Sequence, residues 1–238
     1  MTDEQRMALD NLGRLTEMGR SGDDPSKQCA YEVGGTENGI QLFQMGVTDA
    51  DMRNFELLPE WHCVTLRECP VSDTGLKHLS DQKELRFLDI GETEVTTLHP
   101  IRGCVQMQQL WCDRLELMTD AKAAALANFR ELWFLDLAYT DTGDATAERL
   151  AALTKLRKLN LLGTKISDAG LQVIGKLPNL QMLSLYRTAV TDEGLGHLHG
   201  LPNLRLLAVG ETSITKKGRA AIRRACPDLK VEHHAGIY

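Results

Sequence analysis

Residues 156–179 read LRKLNLLGTKISDAGLQVIGKLPN, and residues 180–203 repeat the pattern without a gap as LQMLSLYRTAVTDEGLGHLHGLPN. A third aligned block begins 24 residues later, at Leu204. Earlier blocks, less regularly spaced, begin at Leu132, Met107, Leu85, Trp61 and near Glu37. Self-similarity at a period of roughly 20 to 50 residues is typical of repeat architectures. The sequence therefore predicts eight repeats of 22–25 residues between residues 37 and 228.

The hydrophobic period changes within each repeat. Alternation across Leu159-x-Leu161 is typical of a strand. The spacing of Leu171, Ile174 and Leu177 is typical of a helix. A Ser or Thr followed by Asp stands between the two, where it can cap the helix and complement its dipole. These pairs lie at 48–49, 72–73, 167–168 and 191–192. Glycines at 75, 170, 194 and 218 fall in the first helical turn, so we expect neighbouring repeats to pack closely there.

A single strand–helix unit cannot bury its own apolar face, but stacked copies form a continuous core. The pattern Leu156-x-x-Leu159-x-Leu161-x-x-Thr164-x-Ile166, followed by Ser-Asp-x-Gly-Leu, resembles that of leucine-rich repeat proteins. The resemblance covers about four fifths of the chain and implies an α/β fold. That fold is a right-handed solenoid, or horseshoe, with a parallel sheet on the concave face and helices on the convex face. Thr replaces the family's usual turn Asn at 93, 140, 164, 188 and 212, and its hydroxyl can still bond the backbone.

The Thr-Asp-x-Gly-Leu form of the repeat resembles two varieties within this family. One is the cysteine-containing repeat found beside F-box domains in ubiquitin-ligase substrate receptors, and the other occurs in bacterial leucine-rich repeat proteins. No F-box pattern is apparent in the short N-terminal segment. The resemblance implies a protein-interaction module, with an accessory or substrate-recognition subunit of an enzyme complex as the alternative: a ubiquitin-ligase-like receptor or a bacterial effector.

The two ends differ from the repeats. Thr2-x-x-Gln5 is typical of a capping box, and it predicts a helix over 3–18 whose Ala8, Leu12 and Leu15 share one face. A loop at 20–29 and an edge strand at 30–33 follow. We therefore divide the chain into three parts: an N-terminal capping helix and edge segment, 1–36; a leucine-rich repeat domain, 37–231; and a polar tail, 232–238.

Composition narrows the classes of function. The chain has 27 basic and 33 acidic residues, a formal charge of −6, so we expect neither nucleic acid nor an anionic membrane as a partner. Without a run of about 18 apolar residues or a signal-peptide pattern, we expect a soluble cytoplasmic protein, monomeric or part of a hetero-complex. Six cysteines lack Cys-x-x-Cys spacing, so we expect reduced structural thiols and no metal or other cofactor.

The sequence contains no recognisable catalytic constellation. Its seven histidines lack metal-site spacing, and there is neither a glycine-rich phosphate loop nor a nucleophile elbow. The least implausible reactive group is Cys63 with Arg67 and Glu68, and no base is positioned beside it. We predict that the protein is not an enzyme.

The variable strand positions are the candidate binding residues. Counted from the first residue of each repeat, places 3 and 5 face away from the core because strand side chains alternate, and places 7 and 8 follow on the same side. We expect these side chains to be exposed and free of packing duty. Six of the chain's 12 aromatic residues fall there, mixed with charged groups, as in protein-binding hot spots. The predicted protein-binding residues are Phe43, Arg67, Phe87, Asp89, Trp111, Arg114, Phe134, Asp136, Tyr139, Met182, Tyr186 and Arg187.

Phe87, Trp111 and Phe134 lie on consecutive predicted strands and should form one contiguous patch. Because Asp89 and Asp136 flank Trp111 at the same place of the repeat, a partner with a cationic or amphipathic helix would suit this patch. The four basic and six acidic side chains of the concave face disfavour nucleic acid there. The period is irregular between 94 and 120, which is either loop drift on the convex side or a bend that reshapes the binding face.

Overall fold

The computed structural model describes residues 2–18, 39–58 and 61–233. Within these ranges nine short strands form one open parallel sheet, in the order of the chain. The strands are β1 (Gly39–Gln41), β2 (Cys63–Thr65), β3 (Phe87–Asp89), β4 (Gln109–Trp111), β5 (Phe134–Asp136), β6 (Lys158–Asn160), β7 (Met182–Ser184), β8 (Leu206–Ala208) and β9 (Lys230–Glu232). Each repeat therefore adds one strand to the edge left by the previous repeat, as the predicted solenoid requires.

A helical segment follows each strand from β1 to β8. The α-helices are α1 (Asp3–Met18), α2 (Asp73–Leu76), α3 (Asp144–Leu150), α4 (Asp168–Ile174), α5 (Asp192–Leu195) and α6 (Lys216–Ala225). The 3-10 helices are Asp51–Leu57, Lys77–Leu79, His99–Ile101, Ala124–Asn128 and Gly196–Leu198. Repeats three and four, 85–106 and 107–131, contain only 3-10 turns in the described structure, whereas repeats five to eight each contain an α-helix.

The core lies between the sheet and these helices. Leu159 and Leu161 from the strand side and Leu171, Ile174 and Leu177 from the helix side are each at most 2% exposed. All five belong to one cluster that runs through every repeat. Burial of each such side chain stabilises the fold by about 2 kcal/mol. The change of hydrophobic period within the repeat is thus confirmed as two sides of one continuous core.

Strand register is maintained through the repeats of irregular length. Phe87 pairs with Gln109 across the 22-residue repeat, and Gln109 pairs with Phe134 across the 25-residue repeat. The other pairs are 24 residues apart, as Lys158 is from Met182. Equivalent places therefore meet in the sheet throughout, and the missing and extra residues are accommodated outside the strands.

The turn after each strand is closed by a threonine. The hydroxyls of Thr93, Thr140, Thr164 and Thr188 each donate to the carbonyl three residues earlier, at 2.6–2.7 Å. Thr212 does the same at 2.7 Å. The prediction that threonine, in place of asparagine, still bonds the turn backbone through its hydroxyl is therefore confirmed.

Aspartates at the helix starts link successive repeats. Asp168 accepts from the backbone N–H of Thr191 at 2.8 Å and from its hydroxyl at 2.6 Å. The Thr191 hydroxyl in turn accepts from Glu193 N–H and so caps α5. Asp49, Asp73, Asp144 and Asp192 make the equivalent bonds, while Asp120 reaches Gly143 and Thr146. These aspartates, interpreted from the sequence as helix caps, act chiefly on the next repeat.

Glycine makes the aspartate links sterically feasible. A Cβ at residue 194 would overlap the Asp168 carboxylate, and a Cβ at residue 218 would overlap Asp192. Gly75 and Gly170 have the same relation to Asp49 and Asp144. The close contact between repeats expected at these positions is present, because the missing side chain leaves room for a carboxylate of the previous repeat.

The N-terminal helix begins as the sequence predicts. Thr2 N–H donates to the Gln5 side chain at 2.9 Å, and Gln5 N–H donates to the Thr2 hydroxyl at 3.1 Å. Ala8 is 1% exposed where α1 lies against the 3-10 helix Asp51–Leu57. The side chains of Leu12 and Leu15, the loop at 20–29, the edge strand at 30–33 and residues 234–238 lie outside the described structure. Strand β9 runs to Glu232, one residue past the boundary placed at 231.

Candidate functional site

The face of the sheet that points away from the main core carries places 3 and 5 of each repeat. Cys63, Phe87 and Trp111 form a small apolar cluster there, separate from the continuous core. Strand pairing places Trp111 in register between Asp89 and Asp136. The structure thus brings together the side chains that the sequence predicts to be neighbours at the middle of the sheet.

The rings of Phe87 and Phe134 on this face are buried, which corrects the expectation that they are exposed and free of packing. Phe87 is 9% exposed and Phe134 is 7% exposed, while Trp111 is half-buried. The ring centroids of Trp111 and Phe134 lie 4.3 Å apart, and Trp133 meets Phe134 edge-on at 6.1 Å. Adjacent strands are only about 4.8 Å apart, so large side chains at neighbouring places cover one another. The rings form a packed layer that offers little area to a partner.

The two carboxylates beside Trp111 are also buried, which corrects their expected exposure. Asp136 is 1% exposed and accepts from Ala138 N–H at 2.8 Å, and Asn160 donates to it at 3.0 Å. Asp89 is 8% exposed and accepts from Gly91 N–H at 3.0 Å. Burial raises the pKa of Asp89, an effect that the charge of Arg67 opposes. Both aspartates therefore hold the turn that follows their strand, because a short carboxylate readily accepts from the N–H two residues on.

Arg67 bridges three repeats on this face. Its guanidinium donates to Asp89 at 3.0 Å, to Glu92 at 3.2 Å and to Asp113 at 3.0 Å. The side chain crosses Gly91, where a Cβ would overlap the guanidinium. Burial by itself would lower the pKa of Arg67, but hydrogen bonds to Asp113 and the charges of both aspartates raise it. Arg67 is therefore held as a permanent cation between carboxylates.

The exposed feature of the site is a row of side chains at place 8, just past each strand. Their backbones adopt the left-handed conformation, with φ between 52° and 58°. Except at Glu211, each N–H in the row donates to the place 7 carbonyl of the next repeat, as Glu68 does to Gly91 and Arg187 to Gly210, and this extends the sheet ladder into the turn. We call this row the ridge; its members are Gln44, Glu68, Glu92, Arg114, Tyr139, Arg187 and Glu211.

Contacts run along the N-terminal part of the ridge. Gln44 donates to Glu68 at 2.6 Å. Arg114 lies 3.7 Å from Glu92 and stacks over the ring of Tyr139, with its guanidinium carbon 5.1 Å from the ring centroid. Arg114 therefore connects Glu92 of the previous repeat to Tyr139 of the next. All but Tyr139, which is half-buried, are exposed.

Two tyrosines dominate the C-terminal part of the face. The ring of Tyr139 covers Gly163, the one glycine at place 8, and Arg187 hydrogen-bonds to Tyr139 from two repeats away. The ring of Tyr186 covers Gly210, and its hydroxyl donates to Glu211, a bond that raises the pKa of Tyr186. Each ring therefore lies over a glycine of the next repeat, where no side chain occupies the space.

The predicted binding residues separate into two groups. Phe43 is 43% exposed, Arg114 and Arg187 are exposed, and Tyr139, Met182 and Tyr186 are half-buried at the surface. The second group forms the floor of the face: Arg67, Phe87, Asp89, Trp111, Phe134 and Asp136. Sequence reasoning missed the ridge as a unit, because nothing in the residue types at place 8 signals a shared left-handed backbone.

Reactive and metal-binding groups are sparse in the described structure. Cys63, the least implausible nucleophile, has 0% exposure. No three His, Cys, Asp or Glu side chains of the described residues gather in a way that could hold a metal ion. None of the described helices is long and apolar enough to cross a membrane.

Comparison with solved structures places the chain among leucine-rich repeat folds. Internalin C2 of Listeria monocytogenes superposes with a TM-score of 0.65 at 21% identity, covering 81% of this chain and 79% of that one. A leucine-rich repeat protein of Leptospira interrogans gives a TM-score of 0.58 at 18% identity, over 76% of this chain and 50% of its own. The fold is therefore the leucine-rich repeat solenoid, as the resemblance in the sequence implies.

A third structure with this fold is the plant peptide hormone receptor RGFR1 in complex with RGF2. It has a TM-score of 0.56 at 16% identity, over 75% of this chain, and this chain spans 29% of the receptor. No protein-family model and no curated protein sequence matches the chain. At these identities the likeness concerns the fold alone.

Proposed function

We propose that the protein is a non-catalytic interaction module that binds a protein partner along the ridge and the adjoining tyrosines. The observation that carries the proposal is the backbone of place 8. A non-glycine residue in the left-handed region is strained by roughly 1 kcal/mol or more, and seven of the eight places nevertheless carry a side chain. Side chains held at that energetic cost, in one row and facing solvent, are suited to recognition.

The chemistry of the ridge fits a polypeptide partner. Tyr139 and Tyr186 are amphipathic rings with few rotatable bonds, and they lie beside Arg114 and Arg187, a combination enriched in protein interfaces. The row carries charges of both signs, two basic and three acidic, which suits a partner surface of mixed charge. Nine strands at about 4.8 Å spacing give a face of roughly 38 Å, enough for an interface of about 800 Å² per partner.

The rings of the floor support the ridge in this proposal. Phe87, Trp111 and Phe134 pack together and hold the strands on which Arg114 and Tyr139 are mounted. Because Asp89 and Asp136 are buried, the partner would contact the ridge and not these carboxylates, and an amphipathic helix of mixed charge is the partner type we propose. The same face would serve an accessory or substrate-recognition subunit, where the protein recruits a target and another chain performs the chemistry.

Thiol chemistry supports a reducing compartment. Cys69, Cys104, Cys112 and Cys226 are free thiols in the described structure. Burial raises the pKa of Cys104 to about 11 and holds that of Cys112 well above its ordinary value, so both are inert at neutral pH. Because free thiols are typical of intracellular proteins, we propose that the protein functions in the cytoplasm.

The test is a photo-crosslinking experiment in cells. A crosslinking amino acid replaces Arg114 or Arg187 on the ridge, or Glu148 or Gln172 on exposed convex positions of α3 and α4. We expect one discrete adduct from the ridge positions only. Tyr139→Ala combined with Tyr186→Ala should then weaken the purified partner's affinity by about 30-fold.

The matched control is Glu148→Ala combined with Gln172→Ala, which alters an equal number of exposed side chains on the opposite face. The proposal is wrong if the convex positions give the adduct, or if the tyrosine variant, folded by circular dichroism, binds the partner as tightly as the wild type does.

A further inference from the structure

Helix α6 differs from every other helix of the described chain in its charge. Its sequence, KKGRAAIRRA, contains five basic residues and no acidic residue within ten positions. The chain as a whole has a formal charge of −6. The C-terminal end of the solenoid therefore carries a strongly basic helix, although the net charge of the chain is negative.

The basic residues occupy one face of the helix. At 3.6 residues per turn, Lys216, Lys217, Arg219, Arg223 and Arg224 fall within an arc of roughly 160°. Lys216, Lys217, Arg223 and Arg224 are exposed, and Arg219 is half-buried. The opposite side carries Gly218 and Ile222, both buried against the solenoid. The cationic face of α6, defined by these four exposed residues, therefore points to solvent.

Local partners do not neutralise this face. Arg223 donates to the Val231 carbonyl at 3.1 Å and Arg224 to the Ala220 carbonyl at 3.2 Å, so their hydrogen bonds go to neutral backbone. Among the described residues no salt bridge joins a carboxylate to any of the four exposed cations. The nearby Asp192 carboxylate accepts from Thr215, and Arg219 lies close to it on the buried edge.

Charge is polarised along the whole chain. Residues 1–120 contain 11 basic and 22 acidic residues, whereas residues 121–238 contain 16 basic and 11 acidic residues. The C-terminal end therefore attracts a polyanion. The acidic half lies several repeats away, beyond a Debye length of about 8 Å, so salt largely screens its repulsion. The sequence-based expectation that nucleic acid is not a partner rests on the net charge of the whole chain and on the charges of the concave face. Neither describes the charge of α6.

The side chains between the cations indicate the class of partner. Ala220 and Ala225 are exposed and Ala221 is half-buried, so the face has no aromatic or large aliphatic anchor. Protein interfaces depend on such anchors, and membrane-binding helices insert Trp, Phe or Leu. A phosphate backbone requires only positive charge.

The chemistry of the nucleic-acid backbone selects between the two double helices. Double-stranded DNA presents phosphate charge densely, at one negative charge per about 1.7 Å of helix axis. Double-stranded RNA is recognised in part through its 2′-hydroxyls, and α6 has no Ser, Thr, Asn or Gln side chain to bond them. We propose that the cationic face of α6 binds double-stranded DNA through its phosphates, without reading base sequence.

The experiment measures fluorescence anisotropy of a labelled DNA duplex of about 20 base pairs with the full-length protein. If four phosphates are neutralised, log Kd should rise with log salt at a slope of about 3 to 4, or about 100-fold between about 50 and 200 mM. Lys217→Gln combined with Arg223→Gln and Arg224→Gln should weaken binding at least 10-fold at about 50 mM salt and reduce the slope to about 1.

The matched control, Lys77→Gln with Lys155→Gln and Lys176→Gln, removes the same charge from exposed sites in other repeats and should bind like the wild type. Equal losses in both triple variants would show that net charge, and not α6, governs binding, and would overturn the proposal. Absence of wild-type binding at about 50 mM salt would overturn it also, as would tighter binding to duplex RNA, anionic vesicles or polyglutamate than to DNA. Circular dichroism confirms that each variant is folded.

Discussion

Repeats three and four differ from repeats six to eight on the convex side and match them on the concave side. The first pair is 22 and 25 residues long, with only 3-10 turns in the described structure; the others begin 24 residues apart and contain α-helices. Yet Phe87, Gln109 and Phe134 pair in the sheet just as Lys158 and Met182 do. Length variation is therefore absorbed where side chains face solvent, because a strand out of register would turn its leucines out of the core.

The irregular region also leaves apolar side chains uncovered. The exposed large hydrophobic residues of the described chain all lie at or before residue 117. Val105 and Leu117, 48% and 64% exposed, belong to repeats three and four. Two surface depressions of about 400 Å³ are lined by residues of these same repeats. Regular repeats cover one another, whereas an irregular repeat cannot match its neighbour at every place.

The largest expected difference is between an arginine of the N-terminal half of the chain, Arg67, and an arginine of the C-terminal half, Arg187. Arg67→Ala should lower the free energy of unfolding by about 3 kcal/mol at neutral pH, because Asp89 and Asp113 lose their counterion in a largely buried site. Arg187→Ala, which removes an exposed pair with Glu211, should leave stability nearly unchanged. Urea denaturation of both variants measures the difference.

The Arg67 variant should also change the pH dependence. Burial raises the pKa of Asp89 in the wild type, and losing Arg67 raises it further. A carboxyl whose pKa is higher in the folded than in the unfolded chain destabilises the fold as pH rises between those two values. The loss in the variant should therefore shrink from neutral pH towards about pH 4. A loss that grows on acidification would contradict the ion-pair account.

Place 3 of the repeat gives the second comparison. Phe134→Ala should cost about 3 kcal/mol of unfolding free energy, because its ring is buried against Trp111 and Trp133. Met182→Ala, at the same place but half-buried, should cost about 1 kcal/mol. Thermal and urea unfolding measure both variants, and an equal loss in the two would show that the aromatic layer adds no stability at the middle of the sheet.

The aspartate links give a third comparison. Asp168→Ala should cost about 2 kcal/mol, because Thr191 loses both hydrogen bonds at the start of α5. Repeat three carries Thr97 at the aspartate's place, and Thr97 donates to the Lys122 carbonyl at 3.0 Å. Thr97→Ala should therefore cost only about 1 kcal/mol. Hydrogen exchange at the α5 N-terminus should quicken in the Asp168 variant alone; unchanged exchange there would refute the link.

The smallest expected effect tests how closely regular repeats pack. Gly194→Ala should cost about 1 kcal/mol, because the new methyl group overlaps the Asp168 carboxylate. Gly196→Ala, two residues on and with no atom near the added methyl, should stabilise by about 0.5 kcal/mol. The equivalent place in repeat three is the exposed His99, where the convex side is looser. A stabilising Gly194→Ala, measured by thermal unfolding, would show that the contact can relax freely.

Particular residues show how far sequence reasoning reaches. The alternation at Leu159 and Leu161, the threonine turns and the capping box at Thr2 act over a few residues, so their periods and spacings predict them. The aspartate link from Asp168 to Thr191 joins groups 23 residues apart and is visible only when repeats are stacked. Burial of Phe87 and Phe134 depends on which rings occupy the adjacent strands, so the alternation gave the correct face and the wrong exposure.

The sequence by itself determined the solenoid, its strand and helix in each repeat, and the face on which variable side chains fall, because each follows from a hydrophobic period repeated eight times. Tertiary structure alone decided which of those side chains are accessible. Stacking at about 4.8 Å buries the strand rings. The same ladder continues past each strand to place 8, three residues on, where a left-handed backbone turns the side chain outward as the ridge.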